Sequence, residues 1–290
     1  MDEPAALVTH GTEPIAQAIA RELHRRHWNI VLQGQDRAPI FAAAERVAAA
    51  AAAPPSARPA GEEPAAPPAG HLPGLMAGPP AGQVLGCAAD LNTPQGREEL
   101  IEFMLEQFGR IDLLVWAPTG PPLASPQAGE DLLELPPEHC QKALETQVLA
   151  PLALVQSVAN EMVRMIEGGD LDGGKIVLLN SLAATAMIPD RPLASLTAAA
   201  GAVLAQLFAQ RLAEHGINVF ELRTGLVSAG QADPLHARYD QRVADGLTPI
   251  RRLGRPQDIA LAVAAIADDL LPYTTGQVLH VDGGLHLRRL

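Results

Sequence analysis

Along the chain, short apolar runs rich in β-branched residues alternate with longer segments whose apolar positions recur at helical spacing. The short runs are AALVT (5–9), NIVLQ (29–33), QVLGCA (83–88), DLLVWA (112–117), KIVLLN (175–180), NVFEL (218–222) and QVLHV (277–281). The longer segments predict helices near 14–27, 38–53, 94–109, 137–167, 194–215 and 256–270. Seven strands separated by helices imply a doubly wound α/β fold, a parallel sheet with helices on both faces. Ligands of such sheets sit beyond the carboxyl ends of the strands.

One stretch breaks the pattern. Residues 48–82 are alanine and proline with almost no bulky apolar group before Leu72, which predicts a flexible surface insertion between the second and third strands of a single domain spanning 1–290. A second proline-rich stretch, 118–139, leads from the fourth strand towards the ligand edge of the sheet. In 194–215, Leu196, Ala200, Val203, Leu204, Leu207 and Leu212 form a helical stripe with alanines between, suited either to a subunit interface or to burial within one chain.

Composition narrows the partners. A net charge of −12 with no basic stripe disfavours nucleic acid and anionic membrane. Cys87 and Cys140 are too few for a disulfide framework, which suggests a reducing compartment. The start, MDEPAALV, lacks the features of a signal peptide. The apolar stretch 193–213 is interrupted by Gln206, Gln210 and Arg211, so no membrane span is expected and the predicted location is the cytoplasm.

The order of motifs resembles the short-chain dehydrogenase/reductase family over essentially the whole chain apart from the proline-rich insertion. ALVTHGTEPIAQAIARELHRRHWNIVLQG is similar to that family's first strand, glycine turn and helix, AADLN to its adenine-contacting loop, and IDLLVWAPTG to its fourth strand. The tail RRLGRPQDIALAVAAIADDLLPYTTGQVLHVDGG is similar to its C-terminal segment. The resemblance implies a Rossmann-type fold, NAD(P) as cofactor and carbonyl–alcohol redox chemistry.

The positions that would carry that chemistry depart from the family pattern. The glycines of its dinucleotide turn are replaced by His10, Pro14 and Ala16. Glycine serves there because the turn needs backbone freedom and the pyrophosphate needs bare backbone beside it. Pro14 is tolerated at a helix start, with Thr12 as the expected N-cap. Glu13 puts a carboxylate where a phosphate would meet the helix N-terminus. Of the remaining cofactor positions, Asp90 matches the adenine contact, unless it caps the helix starting near Pro94, and Gly225 and Val227 match the nicotinamide flank. His10 and Thr12 would complete this set, and the expectation is no binding of NAD(P)H or weak binding.

Counting without gaps from Ser181, which matches the family serine, the tyrosine position is Ala194 and the lysine position Ala198, while Gln147 stands for the family's asparagine. In the family the tyrosine exchanges a proton with the substrate oxygen, lysine lowers its pKa and serine orients the carbonyl. An alanine pair supplies no ionisable group, so Ser181 alone remains, and as a neutral hydroxyl its simplest role is to cap a strand end.

Other arrangements carry less weight. His10 and Ser181 end strands at one sheet edge and Asp190 lies in the next loop, but no glycine-flanked nucleophile turn accompanies them. His139–Cys140 opens a helix, read as a solvated imidazole beside a buried thiol, and His24, His27 and His215 fall on helix ends or polar faces. No metal-ligand spacing stands out, and no metal is expected. The reading is thus a family member with a decayed oxidoreductase site, acting as a non-catalytic binding or scaffold subunit. The alternative is a divergent NAD(P)H-dependent reductase of a small carbonyl. A homo-oligomer, dimer or tetramer, is expected through 137–167 and 194–215, or a hetero-oligomer with a catalytic relative.

Overall fold

The computed structural model describes residues 3–52, 82–117, 131–186, 191–228 and 234–287. Seven strands, β1 (Ala5–Val8), β2 (Asn29–Gly34), β3 (Val84–Ala88), β4 (Leu113–Trp116), β5 (Gly174–Ser181), β6 (Ile217–Thr224) and β7 (Gln277–Val281), form one parallel sheet. Its order is β3-β2-β1-β4-β5-β6-β7. The predicted doubly wound architecture is present, and the strand order reverses between β1 and β4.

Among the described residues the helices are α1 (Pro14–His24), α2 (Arg37–Ala52), α3 (Pro94–Phe108), α4 (Pro137–Leu144), α5 (Ala150–Gly168), α6 (Pro192–Leu212), α7 (Pro234–Ala244) and α8 (Pro256–Ala267). Two cores result. Ile19 and Leu23 of α1, Ile40 and Val47 of α2, and Ile259 and Val263 of α8 pack on one face. Leu100 and Met104 of α3 with Leu154, Val158 and Met162 of α5 pack on the other. Val, Leu and Ile on consecutive strand positions serve both, which is why the strands read as unbroken apolar runs.

Several expectations are corrected. The N-cap of α1 is Glu13, with no side-chain cap bond, so the exposed Thr12 is not the cap. The cap of α3 is Thr93, whose Oγ1 accepts from Gly96 N at 3.0 Å, so Asp90 is not that helix's cap either. Residues 137–167 are not one regular helix, because Glu145–Leu149 makes a π-helical turn between α4 and α5. α7 was missed, since its sequence is mostly polar. Of the predicted insertion 48–82, residues up to Ala52 continue α2 and 53–81 lie outside the described residues. His24 is the last residue of α1, a helix end as expected, though buried, and Cys140 is half-buried. The segment Pro192–His215 is, by length and composition, apolar enough to cross a membrane despite its interrupting polar residues, and here it lies against β5 and β6.

Candidate functional site

The site expected from the topology is the carboxyl edge where β1 and β4 diverge. Thr9, fully buried, follows β1, and its hydroxyl accepts from Ala117 N at 3.0 Å, tying the ends of β1 and β4 together. His10 comes next with φ +52°, in the left-handed region that favours glycine. The turn therefore keeps a glycine-type backbone although it carries an imidazole. His10 N donates to Gln33 Oε1 at 3.0 Å, and its ring stands edge-on to Trp116, centroids 5.0 Å apart. The imidazole thus rests against the buried indole at the end of β4.

Gly11 is the glycine this turn cannot do without. A Cβ there would lie 2.7 Å from Ile40 Cδ1 and 2.8 Å from Leu32 Cβ. Thr12, Glu13 and Pro14 are exposed at the start of α1, and Ala16 is buried against the sheet. Glu13 makes no side-chain cap bond to the helix and leaves an exposed carboxylate at its N-terminus.

Burial pushes the His10 pKa down to about 4, offset in part by a hydrogen bond with the Ala117 backbone. The unfolded chain then takes up more protons than the fold between the ordinary value of 6.5 and about 4. Stability is expected to fall as pH drops through that window, by roughly 2–3 kcal/mol from this group. His10→Asn keeps a residue that tolerates positive φ and removes the titration. Urea denaturation at a series of pH values should show the flatter profile for the variant, and parallel profiles would show that His10 titrates normally.

Asp90 closes a local turn: its Oδ1 accepts from Asn92 N at 3.0 Å and Asn92 Nδ2 at 2.9 Å. Gly225 is buried, and a Cβ there would come within 2.7 Å of Asp282 Cβ and 2.8 Å of Asp282 Cα. Val227 pairs with Gly254, so the segment after β6 is pinned to the loop before α8.

Ser181 ends β5 and caps the short turn Leu182–Ala184, its Oγ accepting from Ala183 N at 3.2 Å. α6 packs over that turn. Ala194 and Ala198 lie one helical turn apart on α6, with Ala198 only 6 % exposed and its carbonyl accepting from Asn180 Nδ2 at 2.8 Å. Gln147 sits in the π-helical turn, and its Oε1 lies 2.8 Å from Thr197 Oγ1. The four family positions are therefore grouped around the end of β5, with no ionisable side chain at any of them. His10 and Ser181 share no hydrogen bond among the described residues, and Asp190 lies outside them.

A buried polar network lies behind this group. On β6, Glu221 (1 % exposed) binds Arg223 (7 % exposed) through two contacts, Nε–Oε1 at 2.6 Å and a terminal guanidinium nitrogen to Oε2 at 2.9 Å. Asn180 Nδ2 also donates to Glu221 Oε1 at 2.8 Å. Sequence reading missed this pair, although two charged residues at i and i+2 in an otherwise apolar strand must share one buried face. Two concavities, of about 540 and 720 Å³, lie instead beside α4, bordered by Cys140, Gln141, Leu144 and Leu149 and by Asn92 and Arg97. Neither is lined by His10, Ser181, Ala198 or Gly225.

Comparison with known proteins agrees with the fold. A family model described as enoyl-(acyl carrier protein) reductase matches residues 76–286. The chain is 27 % identical over 206 residues to L-rhamnose 1-dehydrogenase (NAD(P)(+)) of Sphingomonas sp., covering 71 % of this chain and 77 % of that protein. It is 28 % identical over 204 residues to 7alpha-hydroxysteroid dehydrogenase of Escherichia coli, covering 70 % and 74 %. Among solved structures, a 3-oxoacyl-[acyl-carrier protein] reductase from Brucella melitensis in complex with NAD superposes with a TM-score of 0.80 at 25 % identity, covering 100 % of both chains.

Proposed function

Since this chain belongs to the short-chain dehydrogenase/reductase family, whose members similar to it are dehydrogenases and reductases, we propose that it is a member with a decayed oxidoreductase site that now acts as a binding or scaffold subunit. The observation that carries this reading is the pair Ala194 and Ala198. They occupy one face of α6 above the end of β5, where proton transfer would need a tyrosine and a lysine. The turn after β1 adds to it. His10 puts an imidazole into the turn where the family pattern has glycine, and Glu13 opposes a phosphate at α1.

Binding of NADH and NADPH is therefore expected to be weak or absent. Each good phosphate hydrogen bond lost is worth on the order of 1.5–3 kcal/mol, so losing two moves a micromolar site to millimolar. Calorimetric titration tests this. Low-micromolar binding of either cofactor would overturn the decayed-site reading and establish the alternative, a divergent reductase in which water, Ser181 or the substrate supplies the proton. The alternative is favoured by the similarity to the Brucella reductase, which binds NAD.

A subunit role needs an interface. Leu196, Val203 and Leu207 on α6 and Leu149 in the π-helical turn are large apolar side chains about half exposed, whereas Leu212 is buried in the core, so only part of the stripe read from the sequence faces outward. We assign this surface to self-association. Ultracentrifugation should show a dimer or tetramer at tens of micromolar, dissociated by Val203→Glu with Leu207→Glu. A monomeric parent would remove the scaffold reading.

A further inference from the structure

The chain turns sharply after β7. Asp282, almost wholly buried, accepts from Gly284 N at 2.8 Å through Oδ1 and from His286 N at 2.9 Å through Oδ2. Gly283 and Gly284 both take positive φ, +65° and +84°, and the chain doubles back so that His286 stacks on His280 with centroids 3.9 Å apart. Both imidazoles present Nδ1 to one carboxylate oxygen: His286 Nδ1 lies 2.8 Å from Asp282 Oδ2, and His280 Nδ1 lies 3.9 Å from it. The ligand atoms of the three residues all fall within 4.8 Å of one another. His280 Nδ1 is buried, with no hydrogen-bond partner among the described residues.

We propose that His280, Asp282 and His286 form a binding site for a divalent metal ion of the zinc class. Two imidazole nitrogens and a carboxylate oxygen suit zinc and its neighbours, whereas calcium and magnesium prefer all-oxygen sets. About 2.0–2.2 Å from the metal to each ligand in tetrahedral geometry puts ligand atoms roughly 3.3–3.5 Å apart, between the 2.8 and 3.9 Å seen here. The two rings now stack at 24°, so one must swing out of the stack to bring both nitrogens onto one ion. The ion would replace the His286–Asp282 side-chain hydrogen bond, release any proton on the ligating nitrogens and give the orphaned His280 Nδ1 a partner. The nearest cation, Arg223 opposite His280 on β6, is balanced by Glu221. Asp282 also presses on Gly225, so metal at this turn would brace the segment after β6.

The test uses the full chain, stripped with chelator and titrated with Zn²⁺ or Co²⁺ alone. One equivalent per chain is expected, with visible Co²⁺ bands of a low-coordinate site and a higher melting temperature. His280→Gln and His286→Gln should each weaken binding by about tenfold or more. His27→Asn, a histidine remote from the turn, should leave binding unchanged. X-ray absorption of the zinc-loaded parent, which needs no variant, should show about two imidazoles and no sulfur. No stoichiometric binding, unaltered binding in the double glutamine variant, or a sulfur shell would each overturn the assignment.

Discussion

Arg223→Ala is expected to destabilise the protein by about 3–5 kcal/mol, because it strands the Glu221 carboxylate in the interior without its cation. That is a large part of the 5–15 kcal/mol typical of a folded domain. Asn180 Nδ2 would remain as the carboxylate's neutral donor, too weak to offset burial of a charge. Replacing both partners together, Glu221→Met with Arg223→Met, should recover most of the loss, since apolar groups of similar length fill the space with no unpaired charge. Urea denaturation of parent, single and double variants decides the matter. A single variant within about 1 kcal/mol of the parent would mean that water reaches Glu221.

Rebuilding the site should change function most. Ala194→Tyr with Ala198→Lys places a proton donor and its cation one turn apart on α6 beside Ser181, yet alone is expected to give little activity. The turn after β1 still holds the His10 imidazole and the Glu13 carboxylate. Adding His10→Gly, Glu13→Arg, Pro14→Gly and Ala16→Gly should strengthen NADH or NADPH binding by about 100–1,000-fold, corresponding to two or three recovered phosphate hydrogen bonds. Carbonyl reduction should then follow only where tyrosine and lysine are also present. His10→Gly additionally removes a side chain from a left-handed backbone position. The added bulk at buried Ala198 costs roughly 1–3 kcal/mol, which the fold must carry. Nicotinamide oxidation with a panel of small ketones, measured for parent, double and six-fold variants, is the readout. A parent that turns over as fast as the six-fold variant would show that another acid serves the reaction.

The sheet was legible because strands buried on both faces must be apolar at successive positions, and each of the seven runs became a strand. The turn after β1 was legible for a related reason. A motif that calls for glycine makes any other residue conspicuous, and His10 proved to hold positive φ. What stayed hidden depends on geometry that sequence spacing does not encode. The π-helical turn inserts one residue into an apolar period that otherwise continues from α4 into α5. Glu13 displaced Thr12 as the first cap of α1 because Pro14 fixes the helix start, whatever the capping strength of the residue two before it. α7 shows only one short stripe, Leu235, Tyr239 and Val243, in a polar segment. His280 and His286 meet only because two glycines reverse the chain between them, so their spacing resembles no ligand motif.

The central position of β1 has a consequence for how the protein is made. Residues Ala6–Val8 pair with Leu113–Val115, more than a hundred residues later in the chain. At about 5–20 residues per second of synthesis, β1 emerges roughly 5–20 s before β4 exists to cover it. Its other neighbour, β2, arrives early but leaves one edge of β1 open. Until then Ala5–Val8, wholly apolar, presents an unpaired strand edge to whatever is nearby. Variants that slow docking of β4 should therefore be lost as aggregate during expression, so the yield of soluble chain will report on β1–β4 pairing before any measurement on the folded protein can.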